Sequence, residues 1–200
     1  MNRSLVALMA TVSVATSTFA LSIGDRAPKA DVKMKNVDGQ ELSISGVAGP
    51  KGTLVIFSCN HCPFVKAWEG RIAEIGNTYK TKGIGVIAIN SNDPNANPED
   101  GYEQMQQRAK DRGFAFPYVV DATSEVAKAF GASHTPEAYL FDKDGKLVYH
   151  GAIDDNSKDA SQVASPYLKD ALNALLAGNQ IATKETKAIG CGIKFRGGKA

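Results

Sequence analysis

The sequence is poor in the residues that build disulfide frameworks and metal clusters. It holds 3 cysteines, 3 histidines and 1 tryptophan in 200 residues. Three thiols do not staple a scaffold, and an odd number leaves one unpaired or shared. No second C-x-x-C and no H-x-x-x-H completes a zinc-finger ligand set. Charge of one sign is also scarce. Lys and Arg number 23 against 21 Asp and Glu, a net charge of +2. Composition therefore makes no case for nucleic acid or an anionic membrane as partner. Beyond the N-terminus no segment is long and apolar enough to cross a bilayer. Internal repeats and low-complexity runs are absent as well. What remains is ordinary globular material, 43% hydrophobic and 22% charged, long enough for one domain with a sizeable core.

The first twenty residues stand apart. Arg3 gives a short positive start, Leu5 to Val14 is apolar and uncharged, and Ser17-Thr18-Phe19-Ala20 ends in small residues. This is the pattern of a secretory leader, residues 1–20, cut after Ala20. The apolar run is too short for a comfortable membrane anchor. The mature chain is then expected outside the cytoplasm, in a bacterial periplasm, where disulfides persist.

Against this plain background one stretch is specific: Ser58-Cys59-Asn60-His61-Cys62-Pro63. It follows the apolar, β-rich run Leu54-Val55-Ile56-Phe57 and precedes a helical pattern reaching to about Tyr79. A C-x-x-C pair at a strand-to-helix junction points to dithiol/disulfide chemistry. The free N–H groups and dipole at a helix start stabilise a thiolate. The reading expects Cys59 at that start as nucleophile, and Cys62 one turn in as the resolving thiol. Pro63 suits the first turn, which has no intrahelical use for its N–H. His61 can place positive charge beside the thiolate. An inert disulfide and a metal site built from Cys59, His61 and Cys62 are the rival readings.

The rest of the chain reads as scaffold. Val32 to Lys35 and Glu41 to Ile44 alternate around the Asp38-Gly39 turn, which predicts a hairpin. Thr53 to Phe57 and Ile84 to Ile89 are buried strands. Phe64, Val65, Trp68, Ile72, Ile75 and Tyr79 recur at helical spacing, with Trp68 as core. A polar loop over 90–98 leads to a helix over Glu99 to Arg112. A strand follows at Tyr118 to Val120, then a helix over Ser124 to Phe130. Ala138 to Phe141 and Leu147 to Tyr149 flank a turn at Lys143-Asp144-Gly145 and predict a second hairpin. Ser165 is expected to cap a last helix with Pro166 at its first position. Asp154-Asp155 is expected to make a turn, and His150 is given no role. The order predicts an α/β protein with parallel strands early and antiparallel edge strands late.

Layout and motifs together resemble the thioredoxin-like superfamily over residues 22–196. More narrowly they resemble a peroxiredoxin-like, C-x-x-C branch of the alkyl hydroperoxide reductase/thiol-specific antioxidant (redoxin) family. The matching stretches are Cys59 to Lys66, Ser91-Asn92-Asp93-Pro94, Phe116-Pro117-Tyr118, Thr135-Pro136-Glu137, Leu147-Val148-Tyr149, Ile153 to Asn156 and Gly190 to Phe195. The resemblance implies a thioredoxin-like fold, with a central mixed sheet flanked by helices and an N-terminal β-hairpin. The domain is expected over 21–180, with a basic tail over 181–200. It implies that Thr135-Pro136 is a cis-proline turn facing the cysteines and holding backbone open for a substrate segment.

Departures from the family choose between its chemistries. A peroxidatic loop reads Pro-x-x-x-Thr/Ser-x-x-Cys and works with an arginine. If Cys62 is the peroxidatic position, Cys59 and Val55 stand where the Thr/Ser and Pro belong. No arginine occurs between Arg112 and Arg196, and its slot falls near Pro136. The groups that stabilise the peroxide transition state are missing, which favours disulfide exchange over peroxidase chemistry. The strand before the cysteines also lacks the buried Asp of thioredoxins, leaving His61 or water to deprotonate the resolving thiol. His134, beside Thr135, is a candidate for tuning the thiolate. Cys191, in the tail, is a candidate third redox thiol able to bridge to Cys59 or Cys62 if the tail folds back. The expected protein is an exported thiol–disulfide oxidoreductase. It needs no cofactor and no metal, and it acts on protein or small-molecule thiols and disulfides with a redox partner protein. A thiol peroxidase and a Cys/His metal-binding module are the alternatives.

Overall fold

The computed structural model describes residues 21–197, so the leader expected over 1–20 lies outside the described residues. Elements follow in chain order as β1 (Met34–Asn36), β2 (Glu41–Leu42), β3 (Gly52–Phe57), α1 (Pro63–Thr81), β4 (Ile84–Asn90) and α2 (Tyr102–Asp111). Then come β5 (Tyr118–Val120), α3 (Glu125–Phe130), β6 (His134–Thr135), β7 (Glu137–Asp142), β8 (Leu147–Gly151), α4 (Tyr167–Ala177) and β9 (Cys191–Gly192).

The expected N-terminal hairpin is present: β1 and β2 pair antiparallel, Met34 opposite Leu42. β1 also pairs antiparallel with β5, and β5 runs parallel to β4. β7 pairs antiparallel with both β3 and β8. β3 lies beside β4, and Ser58 N donates to Ile89 O at 2.9 Å where the two strands end. The result is a mixed sheet with helices on both faces. The alternation along β3 shows why every residue of this strand is apolar or small. Leu54 and Ile56 pack with Trp68, Ile72 and Tyr79 of α1 and with Leu168 and Leu172 of α4. Val55 and Phe57 face the other way, toward Phe130 of α3 and Tyr139 of β7. Phe57, Phe130 and Tyr139 meet edge to face, with centroids 5.1–5.7 Å apart.

Several details depart from the sequence expectations. The helix expected over Glu99 to Arg112 is broken: a 3-10 turn covers Pro98–Asp100, Gly101 is extended, and α2 starts at Tyr102. α4 starts at Tyr167, so Pro166 precedes it, and Ser165 does not cap it through its side chain. The Asp155 carboxylate instead accepts from Ala164 N and Ser165 N, at 3.1 and 3.0 Å. Asp154 does more than turn the chain. It is buried, accepts from Trp68 Nε1 at 2.7 Å and pairs with Arg71.

The segment beyond residue 180 lies against the domain rather than apart from it. His150 N donates to Lys184 O, Thr186 N donates to His150 O, and β9 pairs antiparallel with β6. No helix among the described residues is long and apolar enough to cross a membrane.

Candidate active site

The cysteines sit where β3 gives way to α1. Pro63 is the first helical residue, and Cys62 occupies the N-cap with φ −63° and ψ 125°. This corrects the expected placement, in which Cys59 begins the helix and Cys62 lies a turn inside. The cause is local: a residue before proline is pushed out of the helical region, so Cys62 is held extended at the threshold. Cys59 stands three residues earlier, beyond the end of β3.

The chain crosses these sulfurs at the cis Thr135–Pro136 bond, as the resemblance implied. Thr135 touches both. Its Oγ1 lies 3.1 Å from Cys59 Sγ, and its carbonyl accepts from the Cys62 thiol at 3.2 Å. Cys191 Sγ lies 2.6 Å from Cys62 Sγ. Burial separates the three: Cys59 is 1% exposed and Cys62 0%, whereas Cys191 is half-buried.

Charge separates them too. Hydrogen bonding from the Cys59 thiol, then from Cys191 and the Val65 N–H, outweighs burial and holds the Cys62 thiol down at about 4. These donors and the start of α1 favour the anion at this position. Cys59, as donor to Cys62, is pushed far up, helped by burial and by the nearby Asp100 carboxylate. Burial and the contact with Cys62 push Cys191 up to about 11. The balance of these contacts favours the anion on Cys62 over Cys59 and Cys191, while in its thiol form Cys62 donates to the Thr135 carbonyl.

His61 is turned toward an acid that local sequence does not reveal. Its Nδ1 lies 2.6 Å from Asp100 Oδ2, and Asp100 is fully buried. Asp100 Oδ1 also accepts from the backbone N–H groups of Asn60 and His61, and Oδ2 accepts from Asn92 Nδ2. Cys59 Sγ, a His61 ring nitrogen and an Asp100 oxygen lie within 4.8 Å of one another. They are the one cluster among the described residues with the spacing of a metal site. The carboxylate, however, already accepts four hydrogen bonds, and a metal would have to displace some of them. The residues fit a hydrogen-bonded network better than a metal centre.

A second buried acid supports the proline loop. Glu137 follows Pro136 and accepts from Ser133 N and His134 N at 2.9 and 3.0 Å, from Tyr139 OH and from His150 Nε2. Burial alone would raise its carboxyl, but the bonds from His150, Ser133 and His134 outweigh it and hold the group below the usual carboxylate range. His150 thus has a structural role that the sequence did not assign. The His134 ring bonds to Ser133 Oγ at 2.7 Å rather than to a sulfur, while its backbone pairs with Gly192. No arginine among the described residues hydrogen-bonds a cysteine: Arg71 binds Asp154, and Arg108 binds Glu69 and Asn60 O.

Sheet, proline loop and thiol cluster together define a class, the thioredoxin-like redoxins. The fold is shared with a thioredoxin-like protein solved in its oxidised form, with TM-score 0.60 and 20% identity over 78% of this chain and 98% of that one. Residues 23–150 match the model of the AhpC/TSA family, and the chain belongs to that family. It is an oxidoreductase. A crystal structure of an uncharacterized conserved protein from Geobacillus kaustophilus is similar at 39% identity and TM-score 0.83, covering 90% of this chain and 95% of that one. The thiol-disulfide oxidoreductase ResA of Geobacillus thermodenitrificans is 27% identical over 132 residues, 66% of this chain and 70% of the relative.

Asp100 and Glu137 are the buried acids around the candidate site that the sequence did not single out. Nothing in the local pattern separates Asp100 from Asp93 or Glu99 in the same polar stretch. Glu137 carries a weak signal, since a charged residue directly after the proline heads the apolar run Ala138 to Phe141.

Proposed function

We propose that the protein is an exported thiol–disulfide oxidoreductase that works by dithiol/disulfide exchange between Cys59 and Cys62. The observation that carries this reading is the Cys62 sulfur at the N-cap of α1, with Thr135 of the cis-proline turn touching both it and Cys59 Sγ. Cys62 is the ionised thiol and Cys59 the protonated one, the reverse of the order expected from spacing alone. In the reduced pair the Cys62 thiolate attacks a disulfide. Cys59 then gives up its proton and attacks Cys62 Sγ, closing the Cys59–Cys62 bridge and releasing the second product thiol.

The proton from Cys59 has a nearby acceptor system in His61 and Asp100, within 4.8 Å. This pair stands in for the buried Asp that β3 lacks. Thr135 and Pro136 shape the wall against which exchange occurs, and His134 supports that wall through its backbone. Substrates are protein or small-molecule thiols and disulfides, with a redox partner protein to restore the pair. The ResA relative supports this reading, and the leader pattern over residues 1–20 supports export.

Equilibration in glutathione buffers tests it. Cys59 and Cys62 should interconvert as one two-electron couple, and replacing either by Ser should abolish it. Two thiols that alkylate independently at every potential would contradict the reading. A thiol peroxidase is the second reading, favoured by family membership and by the Cys62 position. Stopped-flow oxidation separates the two: exchange chemistry predicts a peroxide rate no faster than that of a free thiolate, and a far faster rate selects the peroxidase.

A further inference from the structure

The third thiol is built into the site. Cys191 lies opposite Thr135 in an antiparallel pair, Gly192 lies opposite His134, and Ile193 N donates to Ser133 O at 3.0 Å. The segment is fastened on both sides of this crossing. Before it, His150 N donates to Lys184 O at 2.9 Å and Ala152 N donates to Thr186 Oγ1 at 2.9 Å. After it, Lys194 N donates to Asn92 Oδ1 at 2.8 Å and Arg196 N to Ser124 Oγ at 2.8 Å. Ile193 is buried in the core. At Gly190 a Cβ would overlap the Thr135 carbonyl, so the close crossing needs glycine there.

Two consequences follow. The backbone edge of Thr135, which the resemblance reserves for a substrate segment, is taken by this chain's own Cys191. And both members of the C-x-x-C pair are sealed, 1% and 0% exposed, while Cys191, in contact with Cys62, is half-buried.

We propose that Cys191 is a third catalytic thiol, the sulfur that meets the external dithiol or disulfide and relays exchange to Cys62. This rests on the dithiol reading of Cys59 and Cys62. In the oxidised protein, Cys191 loses its proton and attacks Cys62 Sγ. A Cys62–Cys191 bond forms, the Cys59–Cys62 bond breaks, and Cys59 leaves as a thiolate that takes up a proton beside Thr135 Oγ1. No electrons leave the protein in this step. A substrate thiolate then attacks Cys191 Sγ, and Cys62 leaves. Its stabilised anion makes it the better leaving group. The second thiol of the substrate attacks the mixed disulfide, forms the substrate disulfide and frees Cys191. The substrate loses two electrons and the enzyme gains them; reduction of a disulfide runs the same steps backward. The substrate class is a dithiol or disulfide presented without strand pairing, such as a small dithiol or a cysteine pair on a protruding loop.

Disulfide mapping of the full chain tests this. Trypsin leaves Cys59 and Cys62 together on residues 52–66 and Cys191 on residues 188–194. After poising in glutathione buffers and alkylating free thiols, a cross-link between these two peptides is expected beside the bridge internal to 52–66. In Cys59→Ser the cross-link should become the main oxidised form. Alkylated Cys191 at every potential, in wild type and Cys59→Ser alike, overturns the relay; the internal bridge would then leave the dithiol reading standing. Absence of both bridges overturns both. In Cys191→Ser, stopped-flow reduction of the internal bridge by dithiothreitol should slow several-fold. A rate equal to or above wild type would assign access to the buried pair directly and overturn the proposal.

Discussion

Asp100 Oδ2 lies 2.6 Å from His61 Nδ1, which ties the C-x-x-C loop to an acid 39 residues further along the chain. The same carboxylate holds the backbone of Asn60 and His61 and the side chain of Asn92. Asp100→Asn would turn an amide N–H toward groups that are themselves donors. The expected cost is about 1–3 kcal/mol, for leaving buried donors unsatisfied. The substitution also removes a charge that raises Cys59. Denaturant unfolding of the reduced protein should show a lower midpoint, and alkylation of Cys59 followed by peptide mapping should shift to lower pH. Wild-type behaviour in both would contradict the network.

Glu137 gives the fold a pH dependence whose sign is set. Its folded-state pKa lies below the ordinary value. The stabilisation is therefore complete above the unfolded glutamate pKa of about 4.3 and is lost as pH falls through the lower folded value. Glu137→Gln should cost about 1–2 kcal/mol near neutral pH, one hydrogen-bonding oxygen being lost. The gap between wild type and variant should close in acid. A constant gap from neutral pH down through the acid range would argue against the assignment.

Trp68→Phe tests the buried pair at the far side of α1. The substitution removes the indole donor to Asp154 but leaves Arg71 and the Asn156 N–H on that carboxylate. A loss of about 1.5–3 kcal/mol is expected, as for one hydrogen bond to a charged group. Circular dichroism in denaturant measures it, since Trp68 is the sole tryptophan. Thiolate ionisation should stay at its wild-type value.

Gly190→Ala tests whether the close crossing covers the site. The added methyl overlaps the Thr135 carbonyl, so the strand must lift. Cys62, at 0% exposure, should then alkylate several-fold faster in the reduced protein. An unchanged rate would mean that Cys62 is reached by another route.

The parts of this structure legible in sequence are those set by nearest neighbours. β3 and β4 are apolar on both faces because helices cover both faces, and α1 shows its buried stripe from Val65 to Tyr79. The Asp38-Gly39 turn marks the hairpin of β1 and β2. Even the place of Cys62 outside the helix is implicit in Pro63, through the restriction that proline puts on its predecessor. What escapes a linear reading is what long-range contact decides. Asp100 reaches His61 because Gly101 breaks the expected helix after a short turn. β9 is two residues long and lacks the alternation that would mark a strand, so only its pairing with the proline loop defines it. Glu137 becomes an anchor only when a loop and His150 converge on it.

The central claim is that Cys62, at the threshold of α1, carries the thiolate while Cys59 and Cys191 keep their protons. A pH titration of thiolate absorbance on the reduced full chain, compared with Cys62→Ser, tests it most directly. An ionisation at about 4 is expected in the wild type and should disappear in Cys62→Ser. An ionisation that survives in Cys62→Ser but vanishes in Cys59→Ser, or none below the ordinary thiol range of about 8.5, would contradict it.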